Sequence, residues 1–231
     1  MAKRPVFVVS DTQPFFVELL VDFQYHSGFS IKQNQESIKS LHCAFLSSYP
    51  NYRVLEISSK SENPLGVNLS AFNLYIETKG QQKFSVEAAF QASKVFENGG
   101  PYMDLLTKSS REAKKDLRLK NSGRLQYFYF INRRFDLNPS TYFYNWLYIN
   151  TLHLYSELAE QLVAHDAFTD IAFSPKKSIN CQARSAAIYV SLFRQGLLPE
   201  ALKNKDSFLD IVYKSSGRQM HSNSKQMTLW D

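Results

Sequence analysis

Glu87, Gln91 and Lys94 fall at i, i+4 and i+7 within "FSVEAAFQASKVF" (84–96). That spacing puts a carboxylate, an amide and an amine on one stripe of a helix otherwise rich in alanine and phenylalanine. A carboxylic acid moves protons, an amide donates and accepts hydrogen bonds, and an amine is a cation or, when neutral, a nucleophile. Two further stretches carry polar groups. In "SSKSENPLGVNLSAF" (58–72), Lys60 leads into a turn rich in Ser, Asn, Pro and Gly. "HDAFTDIAFSPKKSINCQARSAA" (165–187) is a polar loop entering a small-residue helix, with Asp166, Asp170, Asn180, Gln182 and Arg184. Each also has an ordinary counterpart. A turn lysine is commonly solvated, Glu87 and Lys94 on a wet helix face would contribute roughly 0.2–0.5 kcal/mol, and Asn180 would serve as a helix cap. Composition and spacing alone favour the ordinary reading in each case. No phosphate loop, nucleophile elbow or dinucleotide fingerprint is present.

The elements that must position these groups read as strands first and helices later. "PVFVVS" (5–10) reads as a strand, and "FFVELLVDFQ" (15–24) places Phe15, Val17, Leu19, Val21 and Phe23 on one face with a period of two. Residues 30–48, with Ile31, Ile38, Leu41, Ala44 and Phe45, suit a helix; "YRVLEIS" (52–58) is β-rich and "FNLYIET" (72–78) strand-like. From 84 onward the pattern predicts helices over 85–98, 101–107, 109–118, 140–163 and 180–196, with a shorter one near 198–212. Ser110 is the expected cap of "REAKKDLRL". The tail from 214 is polar until Leu229 and Trp230, and is either disordered or docked by Trp230. The order lacks regular βαβ alternation and predicts an α+β fold: a single, mostly helical domain with a small β-sheet.

Composition narrows the class. Of 231 residues, 44% are hydrophobic and 14% aromatic, enough for a substantial core, so the chain is globular. No stretch approaches ~20 consecutive apolar residues, so no membrane span is expected. The basic start, "MAKRPVFVVSDT", lacks the long apolar region of a secretory signal. Two distant cysteines, Cys43 and Cys181, make no disulfide framework and fit a cytoplasmic location. His26, His42, His153, His165 and His221 show no metal-ligand spacing, so neither a metal nor another cofactor is expected. A net charge of +6 and a pI near 9.2 favour a polyanionic partner, nucleic acid above all.

"SKSENPLGVNLSAF", then "SVEAAFQASKVF", then "SSREAKKDLRL" resemble the NADAR superfamily. Its pattern runs F-Y-S-K/T-x-D…G-x-F-S-N-F, then S/T-x-E-x-Y/F-F-Q-A-x-K-F, then a stretch ending in G-R. A late D-x-Y-W-G segment follows, then an Asn and a final helix. Here "HDAF" stands for D-x-Y-W-G and "SINCQARSAAIYVSLFR" for the Asn-plus-helix end. The resemblance spans 58 to about 196. The segment 1–57 and the form of "DAFTDIAFSPKKSINCQARS" (166–185) look most like the NADAR antitoxins encoded beside DarT toxins. Ala71 replaces the Asn of S-N-F, Thr169 and Asp170 stand where Trp-Gly would be, and "DLRL" lacks the Gly of G-R. Either Asn180 or Arg184 aligns with the family Asn. On this resemblance residues 1–214 form the NADAR-like domain, with an extension over 1–57 and a motif core over 58–196, and 215–231 form the tail.

The resemblance implies an antitoxin that removes ADP-ribose from ADP-ribosylated guanine in DNA, reversing a DarT-like toxin. Its partners would be ADP-ribosylated DNA, taken as single-stranded, and that toxin. The alternatives are an N-glycosidase on a small nucleotide-like metabolite and a non-catalytic antitoxin that masks the toxin or its product. Glu87 would protonate the departing base. Lys60, or failing it Lys94, would attack the anomeric carbon and form a Schiff base. Arg184 or Lys177 would hold a diphosphate. Ser70, Gln91, Asp166, Asp170, Asn180 and Gln182 would bind the rest of the substrate, and Phe72, Phe90, Phe168 or Trp146 would stack on a base. For Phe90 and Trp146, core packing is the stronger expectation.

Overall fold

The structure, a computed structural model, describes residues 2–28, 30–176 and 178–214. Lys177 and the tail, with Trp230, lie outside them. β1 (Ala2–Val9) and β2 (Phe16–Phe23) pair antiparallel, Ala2 opposite Phe23 and Val9 opposite Phe16. Their period of two sends Val6 and Val8 to one face and Phe7 to the other. α1 (Ile31–Ser48) covers the first face. It starts on a reciprocal cap between Ser30 and Gln33 and packs Ile38, Leu41 and Phe45 against Val6, Val8 and Phe23.

The chain then runs through β3 (Val54–Glu56), α2 (Pro64–Asn68), β4 (Tyr75–Glu77) and β5 (Lys83–Ser85) into α3 (Val86–Ala92) and β6 (Lys94–Phe96). A 3-10 turn (Met103–Thr107), α4 (Ser110–Lys115) and α5 (Arg118–Asn121) lead to the hairpin β7 (Leu125–Phe130) and β8 (Arg133–Phe135). Next come α6 (Tyr142–His153), α7 (Ser156–Leu162), β9 (Ala167–Thr169), α8 (Gln182–Arg194), α9 (Leu198–Ala201) and α10 (Lys205–Tyr213). Strands order as β2-β1-β9-β3, β4-β5 and β6-β7-β8. β9 lies antiparallel to β1 and parallel to β3, with Glu56 opposite Thr169. α6 is buried from Tyr142 to Leu152, as a helix apolar on every side must be, and forms the centre of the main core with Phe7, Phe168 and α8. The α+β expectation holds, with helix exceeding strand.

Several sequence expectations change. The helix expected over 85–98 ends at Ala92. Ser93 turns its hydroxyl back to the Ala89 carbonyl (2.6 Å), and Lys94–Phe96 leaves to pair with β7, where the Val-Phe pair suits a pleated surface. Residues 125–135, read as part of a helical half, form the β7–β8 hairpin. Its two turn residues, Ile131 and Asn132, sit at φ 45° and 54°, as a two-residue hairpin turn requires. The helix expected over 140–163 breaks between α6 and α7 at Tyr155, whose hydroxyl reaches the Tyr75 carbonyl on β4 (2.7 Å). The helix expected over 109–118 is split into α4 and α5, and its cap is Ser109, not Ser110. The 165–187 loop contains a strand, β9, because its backbone fills the gap between β1 and β3.

Candidate active site

α3 is capped by Ser85, whose Oγ accepts from the Ala88 amide (3.1 Å). Ala88, Ala89 and Ala92 have no exposed surface, and these small side chains let the helix pack against α4, α6 and the 3-10 turn. Every residue of α3 is therefore buried, Glu87 and Gln91 included. Buried polar groups must find partners, and these do so in one line. Gln91 Nε2 donates to Glu87 Oε1 (2.8 Å), and Lys94 Nζ donates to Gln91 Oε1 (2.7 Å). Lys94 has left the helix, yet its half-buried ammonium turns back onto α3 and stands 4.9 Å from the Phe90 ring centre. Burial pulls its pKa down to about 8, against a weaker upward pull from Glu87.

Lys114 of α4 closes the line. Its Nζ lies 3.4 Å from Glu87 Oε1 and 5.2 Å from the Phe72 ring centre. Tyr144 of α6 packs edge-on against Phe90 (5.1 Å). Its hydroxyl has no hydrogen-bond partner among the described residues, and burial first, then Glu87, hold its pKa well above the ordinary range.

Asp170 brings a second carboxylate. It follows β9 and accepts from the Ala172 amide (3.0 Å). No ion-pair partner stands beside it among the described residues. Burial, and next the charge of Glu56, push its pKa up to about 7, and Lys114 opposes that. Lys114 and Tyr144 thus lie within electrostatic reach of both Glu87 and Asp170. Glu56 accepts from Thr169 Oγ1 (2.6 Å), from the Ile171 amide (2.9 Å) and from Ser58. Burial raises its pKa too. His42 Nε2 adds a bond to Thr169 Oγ1 (2.8 Å), and burial lowers the His42 pKa to about 4. Glu56 thereby ties the turn of Ser58 and Lys60 to the loop of Asp170. Gly66 lets α2 close over the same point, since a Cβ there would meet the Glu56 carbonyl at 1.9 Å.

The remaining expected residues divide into two groups. Gln182 spends its amide on backbone: it accepts from the Ala71 amide (2.7 Å) and donates to the Ile57 carbonyl (2.6 Å). With Tyr148 on the Leu69 carbonyl, Ser110 on the Phe72 carbonyl and the Glu87 amide on the Ala71 carbonyl, it fixes the Ser70–Phe72 turn beside α3. Ser70 is buried and Phe72 half-buried against Lys114. Lys60 is half-buried, its amide on Ser58 Oγ (3.1 Å). Asn180 precedes α8 with a buried, unpartnered Oδ1.

Others are not brought to the cluster. Asp166 lies at the far end of β9, held by the Arg53 amide (3.0 Å) and Arg194 (2.9 Å). Phe168 has no exposed surface and cannot stack on a ligand. Arg184 lies over Phe7 and Phe16 and bonds the Ile179 carbonyl. Phe90 and Trp146 pack in the aromatic core, and the Lys94 ammonium lies over the Phe90 ring. Sequence reading missed Lys114, one cation in a basic run, and Tyr144, one ring in an aromatic helix. Neither carried a local signal.

Among the described residues no helix is long and apolar enough to cross a membrane. A family model described as the DarT1-associated NADAR antitoxin matches residues 2–222, taking in β1, β2 and α1 as well as the motif words. No curated protein matches.

Proposed function

Because the chain belongs to the DarT1-associated NADAR antitoxin family, we propose that it acts as a glycohydrolase that removes ADP-ribose from guanine in DNA. The antitoxin role follows from the family. The observation that carries the chemistry is the buried Glu87–Gln91–Lys94 line, capped by Lys114, which also acts electrostatically on a second carboxylate, Asp170.

Two carboxylates in unlike surroundings suit an acid–base pair. Asp170, with its pKa near neutrality, gives a proton to the guanine nitrogen as the C–N bond breaks and its electron pair moves to that nitrogen. Glu87 faces the positive charge that develops on the anomeric carbon, with Gln91 and Lys114 holding it in place. This assignment moves the acid role from Glu87, where the sequence put it, to Asp170. An amine then captures the carbon. Its lone pair forms the new C–N bond and its proton passes to a carboxylate; the ring oxygen leaves with a proton, giving an imine. Water adds to the imine, the amine departs, and ADP-ribose closes. Lys60 holds this role by its place in the motif. Lys94 is the specific alternative, because burial brings its amine toward the neutral form that attack requires.

The test is release of ADP-ribose from an ADP-ribosylated guanine oligonucleotide, with borohydride present in a parallel reaction. Wild type should turn over and become labelled on Lys60 or Lys94, as peptide mass mapping would show. Glu87→Gln should lose roughly 10²–10⁴ in rate while staying folded. Release without any label would remove the imine and leave direct attack by water. Neutralisation of the toxin by an inactive Glu87→Gln variant would favour the masking antitoxin instead.

A further inference from the structure

The net charge is concentrated in one place. Residues 108–124 contain seven basic and two acidic side chains, so this stretch, α4 and α5 with their flanking turns, carries five of the six net positive charges of the chain. Within it Arg118 is committed to Asp104 and Asp116, and Arg124 to Glu97. Lys108, Arg111, Lys115 and Lys120 are exposed and have no ion-pair partner among the described residues. Such a strip carries an electrostatic cost from self-repulsion that a polyanion would relieve.

Two features tie the strip to the active site and to bases. Lys114, from the same helix, touches the buried Glu87 at 3.4 Å, so the basic stretch reaches the candidate site. Cations already lie over half-buried rings, Lys114 over Phe72 and Arg118 over Tyr102 at 4.5 Å, and Leu117 between them is 68% exposed. Basic groups interleaved with rings and exposed apolar surface are what a single strand uses, phosphates on the cations and bases on the flat groups. A paired base in a duplex would keep its reacting edge stacked away from a buried carboxylate.

We propose that the α4–α5 strip, through Lys108, Arg111, Lys115 and Lys120, is the track for the phosphates of single-stranded DNA whose modified guanine is brought to Glu87 at Lys114. This rests on the glycohydrolase reading for the entering base only. The strand-binding claim stands apart from catalysis.

The experiment uses an unmodified single-stranded oligonucleotide, its affinity measured by fluorescence anisotropy over a salt series. The triple variant Lys108→Gln, Lys115→Gln, Lys120→Gln should bind at least about tenfold more weakly at low salt. Its log–log salt slope should be shallower by about 2, three lost phosphate contacts at roughly 0.7 each. A control with the same charge change elsewhere, Lys32→Gln, Lys39→Gln, Lys203→Gln, should lose far less, and both variants should melt within a few degrees of wild type. Equal losses in the two variants would show that net charge alone acts and would overturn the track. Equal affinity of wild type for the duplex of the same sequence would overturn the single-strand assignment. Unchanged DNA affinity with lost binding to the toxin would give the strip to the toxin. Because the probe is unmodified DNA, an inactive enzyme that still binds it in this way would sink the glycohydrolase and leave the track.

Discussion

Asp166 and Asp170 stand at the two ends of one three-residue strand, β9, and differ in almost every physical respect. Asp166 is spent: one oxygen takes the Arg53 amide and the other the Arg194 guanidinium, which also bonds the Val163 and His165 carbonyls. Asp170 accepts from the Ala172 amide, has no ion-pair partner among the described residues, feels the charge of the buried Glu56, and has its pKa pushed up to about 7. The same residue type beside the same strand is thus a fastener at one end and, at the other, the carboxyl proposed as the acid. What separates them is the counter-ion: a carboxylate given one is stable and inert, while one denied it by burial is costly and reactive.

The largest effect expected from breaking this contrast is on rate. Asp170→Asn should lower kcat on ADP-ribosylated guanine DNA by about 10²–10⁴, the range for a removed general acid, while Asp166→Asn stays within a few-fold of wild type. The kcat/KM of wild type should fall above about pH 7, as Asp170 loses its proton, and Asp170→Asn should lack that limb. Equal losses in the two variants would dissolve the distinction.

The second effect is on stability. The Asp170 pKa is raised in the fold from 3.8 to about 7, so the folded state binds more protons than the unfolded chain between those values. Its contribution is greatest below about pH 4 and is lost as pH rises through 7. Chemical denaturation across this window should show wild type losing stability relative to Asp170→Asn as pH rises. Parallel curves would mean that another group holds the proton.

The smallest effect belongs to the fastener. Asp166→Ala should cost roughly 1–2 kcal/mol, from one amide left unpaired and a partly exposed ion pair lost, with turnover retained. A loss of turnover larger than the loss of folded protein would show that the two ends of β9 are coupled.

Local pattern made some of this legible. β1, β2, α1 and α8 appear near their expected bounds because β1 is a short continuous apolar run, β2 alternates with a period of two, and the helices carry helical spacing and, in α1, a cap. The Glu87–Gln91 contact follows from spacing alone, since i and i+4 side chains meet on any helix. The motif words pointed to the family that matches the chain.

The rest depended on contacts far apart in sequence. Nothing local in "SKVF" says that Lys94–Phe96 will leave the helix; β7, some thirty residues on, supplies the ladder that makes it a strand. Aromatic residues 125–130 and 142–152 look alike as apolar runs, and only their neighbours make one a hairpin strand and the other a buried helix. Lys114 and Tyr144 join the candidate site because α4 and α6 pack on α3, and Gln182 became a brace because its amide meets the Ala71 and Ile57 backbone. Sequence by itself determined the periodic elements, the α+β class and the Glu87–Gln91 pair, all products of forces acting within one turn or one strand. Tertiary structure alone decided which of two aspartates would lack a counter-ion, because burial and charge proximity are properties of the packed chain and not of any segment of it.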